Sequence, residues 1–295
     1  MSNIFGPDFR LEFNTRQLAP ISAVPTPLPT WSAFCGDDGG GVGLADGWLT
    51  VIGGNPKYGK TIFSIDIVRQ AMLSGRRPAF ISLEMSKWAL ATRIYSQMTG
   101  VPVWKLEKKG FTETQFREVW KRLDPTRNEF DLFVDDSAYT NIDQIMRSME
   151  DLSAEGYDFF VVDYIQLAAM GSEDSINKAV IEVVSNLRHF AKSKQVPVVA
   201  LSQFNRETSK NYIETPQPQG LHGGMIVEAS ADQIMLIDHS RYERTDKGAM
   251  TYMCLTNRHG QHGDIPVEWR WDTLTIKEAD PDKEHLWPTN ARSKT

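Results

Sequence analysis

The clearest chemistry in the chain lies in one run, Gly54-Asn55-Pro56-Lys57-Tyr58-Gly59-Lys60-Thr61, which is G-x-x-x-x-G-K-[ST] between an apolar stretch and a helical one. Glycines let the backbone curl so that successive N–H groups aim at phosphate oxygens, and the N-terminus of the following helix adds partial positive charge. Lys60 is suited to neutralising β- and γ-phosphates, and the Thr61 hydroxyl to joining a Mg²⁺ shell. A chance glycine loop seldom falls between a strand and a helix, so the run reads as a nucleotide site. Asp163 ends the apolar run Phe159-Phe160-Val161-Val162. A carboxylate there can hold magnesium, directly or through water, in the crevice where open α/β sheets bind ligands. Strands often end in aspartate, so it is the pairing with the phosphate loop that favours the metal role. Hydrolysis also needs a group that activates or orients water and is not a metal ligand. Glu84, directly after Ala79-Phe80-Ile81-Ser82-Leu83, is the candidate, on a strand expected to neighbour the phosphate-loop strand. Glu84 could equally cap the helix that follows, and the residues alone do not separate the two. Gln203 ends Ala200-Leu201-Ser202 and reads either as a γ-phosphate sensor or as a solvated strand end. His259 and His262 have H-x-x-H spacing, but they sit in a glycine-rich turn without further ligands, so no metal is expected there.

These residues need elements that bring them to one edge. From Gly47 onward, short β-branched runs alternate with helical stretches. Trp48–Ile52, Pro78–Leu83, Asp131–Asp135, Phe159–Asp163 and Val196–Leu201 predict strands. Lys60–Leu73, Lys87–Thr99, Thr112–Leu123, Ile142–Leu152 and Ile176–Lys194 predict helices. Strands apolar throughout and separated by helices require a parallel sheet covered on both faces. Three later runs, Gln233–Ile237, Met250–Leu255 and Val267–Leu274, are joined by short turns and predict antiparallel strands at the C-terminal edge. The fold class is therefore α/β, a mostly parallel sheet with helices on both faces. Before about Asp46 there is little periodicity, with Pro20, Pro25, Pro27 and Pro29 and then the loop Gly36–Gly41. The layout read from this is an N-terminal arm over 1–45, one α/β domain over 46–280 and a tail over 281–295.

The chain has 295 residues, 41% hydrophobic and 24% charged, which fits a globular domain and argues against disorder. Its net charge of −6 excludes coating duplex DNA by bulk charge, but leaves room for a focused basic channel. Cys35 and Cys254 match no metal-ligand spacing and predict free thiols in a reducing compartment. No stretch reaches the roughly 18 apolar residues of a membrane span, and the start lacks a secretory pattern, so a soluble, cytoplasmic protein without membrane partners is expected.

Taken together, the pieces resemble the ATPase (C-terminal, RecA-like) domain of hexameric replicative DNA helicases of the DnaB type. The matching stretches are Gly54–Thr61, Ile81–Ser86, Val161–Leu167 and Leu201–Arg206, with Glu228, Ala231-Asp232 and Asn257-Arg258-His259-Gly260 further along, in order from about residue 45 to 275. The resemblance implies a RecA-like core with ATP and Mg²⁺ as cofactors. It implies catalytic roles for Lys60, for Glu84 as the catalytic carboxylate, for Gln203 as the γ-phosphate sensor and for Arg258 as an arginine finger reaching a neighbouring subunit's ATP. Asp163 becomes the magnesium aspartate, with Thr61 beside it. It implies a homo-oligomer, a hexameric ring, around single-stranded DNA at a replication fork, with primase or a helicase loader as further partners. DNA would be gripped by Met170–Asn177 and by the loop Arg206–Gly224, at Arg206, His222, Gly223 and Gly224. That loop is long and punctuated by Pro216, Pro218 and Gly220, as functional loops often are, although a plain solvent loop has the same composition. Departures from the family pattern are Thr256 where a lysine is usual, His222 for arginine and Met225 for glycine. The helical N-terminal domain of typical members is not expected in the 45 or so residues before the core. The rival readings are a RecA-like recombination ATPase forming filaments, and a nucleotide-switched loader or regulatory module with slow hydrolysis.

Overall fold

A run such as Phe159–Val162 is stable as a strand only where both sheet faces are covered, and the structure covers both. The computed structural model describes residues 22–35, 43–108, 112–122, 131–139, 141–168, 176–205, 216–245 and 248–279. Its strands are β1 (Ala23–Val24), β2 (Leu44–Ala45), β3 (Leu49–Gly54), β4 (Pro78–Ser82), β5 (Phe133–Asp135), β6 (Phe159–Asp163), β7 (Val198–Gln203), β8 (Gln233–Thr245), β9 (Gly248–Asn257), β10 (Gly263–Arg270) and β11 (Thr275–Glu278). Its helices are α1 (Pro29–Phe34), α2 (Lys60–Leu73), α3 (Lys87–Thr99), α4 (Val103–Glu107), α5 (Glu113–Arg122), α6 (Ile142–Ala154), α7 (Ile165–Ala168), α8 (Ile176–Lys194) and α9 (Gly224–Ser230). Among the described residues, β3 to β11 form a nine-stranded sheet in the order β11-β10-β9-β8-β3-β7-β6-β4-β5. The strands from β5 across to β8 pair in parallel, and β8 to β11 form an antiparallel meander.

The alternation along each strand sends side chains to two cores. Leu49, Val51, Phe160, Val162, Val198 and Ala200 face α6, α8 and α9. Ile52, Phe80, Phe159, Val161, Val199 and Leu201 face α1, α2 and α3, where Trp31, Phe63, Ile67 and Leu90 are buried. The meander covers only one face: burial in β9 alternates residue by residue.

Several expectations change. β4 does not neighbour β3; it lies between β6 and β5, with β7 and β6 separating it from β3. The reason is burial: β6 and β7 are buried along almost their whole length and take the centre, whereas three-residue β5, with Phe133 36% exposed, takes the edge. β8 runs past Ile237 to Thr245, through a register shift between Asp238 and Glu243, and its polar second half gave no apolar signal. Val267–Leu274 is not one strand, because the chain turns after Arg270 and restarts at Thr275. Residues 22–35, which show little periodicity, pack into the second core: Trp31 is fully buried, its ring 5.7 Å from that of Phe63.

Candidate functional site

The phosphate-loop run leaves β3 at Gly54 and enters α2 at Lys60, with the backbone left-handed at Lys57 (φ 69°) and Gly59 (φ 91°). Gly59 is needed for space as well: a Cβ there would lie 2.5 Å from the Trp269 ring. Lys60 is 7% exposed, and its Nζ donates to the carbonyls of Gly54 (3.0 Å) and Asn55 (2.9 Å). Thr61 Oγ1 donates to Asp163 Oδ2 at 2.7 Å. Asp163 is 1% exposed; burial pushes its carboxyl up to about 6, against the Thr61 hydrogen bond and the Lys60 charge. Burial likewise lowers Lys60 to about 8, with Asp163 and Glu84 opposing. A buried carboxylate within hydrogen-bond reach of a hydroxyl, beside a buried ammonium that donates to loop carbonyls, is a donor set that fits Mg²⁺ and a triphosphate.

Glu84 stands just past the end of β4, whose Ser82 is in register with Asp163, and Leu83 N donates to the Asp163 carbonyl at 2.7 Å. The glutamate is exposed, and its charge acts on both Lys60 and Asp163. The α3 N-cap is Ser86, whose hydroxyl accepts from Ala89 N, so Glu84 is not needed as a cap. Gln203 ends β7 in register with Gly54. Its amide side chain reaches the Tyr164 hydroxyl. Its N–H donates to Gln166 Oε1 at 3.2 Å, while Gln166 Nε2 donates to Ser202 Oγ at 2.9 Å. The Gln203 carbonyl accepts from His222 N at 3.3 Å, Phe204 bridges Leu221, and Asn205 N donates to Gly220 O. Gln203 therefore touches the end of β6 on one side and the 216–224 segment on the other.

In that segment, Gly223 (φ 68°) is the left-handed N-cap of α9, and a Cβ on Gly224 would meet the Gln219 carbonyl oxygen at 2.5 Å. Both glycines thus have a structural use in the turn. Gln219 Nε2 also donates to Glu228 at 2.6 Å. Met225 is 78% exposed beside them. Arg206 and Met170–Ser175 lie outside the described residues.

Arg258 is not brought to this chain's own cradle. It follows β9 at the end where β8 and β3 begin, and its N–H donates to Asp232 O at 2.8 Å. Gly54 is at the far end of β3, roughly 17 Å away at about 3.3 Å per strand residue. The guanidinium contacts the Ala229 carbonyl and is exposed. His259 Nε2 pairs with Asp232 Oδ1 at 3.0 Å, while His262 Nδ1 accepts from Asn257 N, so the two histidines serve different bonds. Sequence reasoning assigned no part to Gln166, Trp269 or Trp48, whose ring stacks on His259 at 4.6 Å. Gln166 was within reach, because it lies in the stretch that also carries Asp163; nothing local marks the two tryptophans.

A phosphate loop at the C-terminal end of a mostly parallel sheet, with a carboxylate-ended strand nearby and an antiparallel edge beyond, is the layout of a RecA-like core. Two solved structures share the fold: the ATPase domain of G40P (TM-score 0.77, 18% identity, 95% of this chain and all of that one) and a DnaB-like replicative helicase studied with its primase interactions (TM-score 0.79, 17% identity, 94% of this chain and 68% of that one). The model of the DnaB-like helicase C-terminal domain matches residues 37–278, and the chain belongs to that family. A replicative DNA helicase DnaB of Leifsonia xyli subsp. xyli is 30% identical over 214 residues, 70% of this chain and 46% of that protein. The chain spans about half the length of the curated relatives it matches.

Proposed function

We propose that the protein is an ATP-driven motor that encircles single-stranded DNA as a homo-oligomeric, hexameric ring and unwinds duplex at a replication fork. The observation that carries a motor, rather than a plain ATPase, is the backbone bond from His222 N to the Gln203 carbonyl. It joins the residue beside the phosphate loop to the segment assigned to DNA. Bound Mg²⁺–ATP supplies the scissile phosphoanhydride and the charge that the buried pair is built to meet. Thr61 and Asp163, hydrogen-bonded to each other, would hold the cation, and Lys60, whose ammonium donates to loop carbonyls, would neutralise phosphate oxygens. Glu84 orients and deprotonates the attacking water. Gln203 responds to the γ-phosphate, and because its carbonyl anchors His222 the DNA segment moves with it. Arg258, lying far from its own cradle, completes the site of the next copy, where a planar guanidinium suits charge spreading over a transferring phosphoryl group. Arg206, His222, Gly223 and Gly224 contact DNA, and primase or a loader is the expected protein partner in the cytoplasm.

The test is ATP turnover with and without single-stranded DNA, together with strand displacement on a forked substrate. Stimulation by DNA and displacement are expected. Turnover indifferent to DNA, without displacement, would leave a nucleotide switch. Lys60→Ala should abolish hydrolysis, while Arg258→Ala should abolish it with nucleotide binding largely kept.

A further inference from the structure

The loop that carries Arg258 is tied at several points, and two of its ties meet at one buried residue, Asp232: the Arg258 N–H at its carbonyl and His259 Nε2 at its carboxylate. Asp232, with no exposed side-chain surface, accepts from Leu49 N at 2.9 Å, pairs with the Arg188 guanidinium, and meets His259 Nε2 at 3.0 Å. Its own carbonyl accepts from Arg258 N. The residue in question is thus held at its backbone by Asp232 and, one residue on, by the Asp232 side chain through His259, which Trp48 stacks upon. On the far side, the Phe34 carbonyl accepts from Gln261 N (2.9 Å) and Asn257 Nδ2 (3.1 Å).

Charge explains why a carboxylate is needed. The Arg258 charge lies close enough to act on Arg188, whose pKa falls through burial first and then through Arg258. It acts in the same way on His259, after burial. Three cationic or potentially cationic groups crowd one corner, and Asp232 is the anion among them. Without it, the repulsion from Arg188 and His259 acts unopposed on a guanidinium that is exposed and held at the Ala229 carbonyl.

We infer that Asp232 is the positioning residue for Arg258, holding its guanidinium where it enters the neighbouring subunit's nucleotide site. This rests on the proposal that Arg258 acts in trans. Pre-set geometry matters because a displacement of about 1 Å at a catalytic group can cost on the order of a hundredfold in rate. The same carboxylate accepts from Leu49 N at the start of β3, the end of that strand away from the cradle.

The experiment uses mixed assemblies of the full-length chain. Lys60→Ala keeps its finger and loses its cradle; Arg258→Ala keeps its cradle and loses its finger. Mixed, they should regain DNA-stimulated ATPase at the junctions where an intact finger meets an intact cradle. Adding Asp232→Asn to the Lys60→Ala chain, the finger donor, should lower the regained rate about tenfold or more. Adding it to the Arg258→Ala chain should change that rate less than about twofold, because asparagine still offers Leu49 N an acceptor. Equal losses in both arms, or a loss confined to the cradle donor, would mean that Asp232 only supports the fold, and the assignment falls. No regained activity in the parent mixture overturns the shared site, and the positioning role with it. If Asp232→Asn does not yield folded protein, His259→Ala carries the same two arms, with the same one-sided loss expected and equal losses again contrary.

Discussion

Burial holds Asp163 at about 6, above the carboxylate's ordinary 3.8, and this gives the resting site a definite pH signature. An acid whose pKa is raised on folding binds its proton more tightly in the folded state, so its charged form costs stability above about pH 6. That cost is relieved as pH falls from 6 towards 4, and below the ordinary value both states are protonated alike. With Mg²⁺ chelated, Asp163→Asn should therefore be more stable than the unaltered protein at pH 7, by about 3 kcal/mol at most. The gap should close between pH 6 and 4, and the same substitution should abolish Mg²⁺-dependent ATP hydrolysis. Urea denaturation across that range in chelator measures the gap; one that stays flat with pH would place the cost elsewhere. Gly59 makes a second test. Alanine there must adopt a φ of 91° and push a methyl into the Trp269 ring. A loss of roughly 1–3 kcal/mol is expected, with weakened ATP binding, read by thermal melting and by titration with nucleotide. Lys60, Thr61 and Asp163 were legible because phosphate chemistry dictates residue types within one contiguous run and one strand end. Trp269 was not, because its part in the loop depends on a ring delivered from more than 200 residues away in the chain.

Among the elements, β7 has the most to transmit. Gln166, 5% exposed, bridges the segment after β6 to Ser202 and Gln203, and the Gln203 carbonyl passes the connection to His222. Gln166→Leu keeps the bulk but leaves the buried Ser202 hydroxyl and the Gln203 N–H without this partner, so a loss of about 1–3 kcal/mol is expected. DNA stimulation of ATPase should fall by a larger factor than the DNA-independent rate; equal falls would mean that Gln166 serves stability alone. Helices α2 and α3 match their expected limits, and α8 its expected end, because these signals are written locally: Gly59 and the loop before α2, the Ser86 cap before α3, and Lys194-Gln195 leading to Pro197 after α8. Strand order was not legible in the same way. Adjacency depends on which strands can be buried on both faces, and only the assembled sheet decides that β6 and β7 stand between β3 and β4. The hidden half of β8 and the break between β10 and β11 went unread because polar pairing along a half-exposed ribbon leaves no apolar period.

At the scale of the whole molecule, the role proposed for Arg258 in a neighbouring copy's site would make catalysis depend on association. Arg258 sits at one end of the strands and the cradle at the other, roughly 17 Å apart, with the Arg258 N–H bonded to the Asp232 carbonyl and its guanidinium to that of Ala229. ATP turnover per subunit should then rise with protein concentration and level off where light scattering shows the assembly complete. On dilution to single subunits it should fall by roughly a thousandfold or more, the scale on which loss of an arginine finger acts. Single-stranded DNA should shift the curve to lower concentration, because copies bound to one strand meet at higher effective concentration. The net charge of −6 limits how far this shift survives added salt: phosphate contacts must come from a local patch, so raising ionic strength should move the curve back. Turnover per subunit that stays constant from the dilute single chain to the full assembly would show that every catalytic group is already present in one copy.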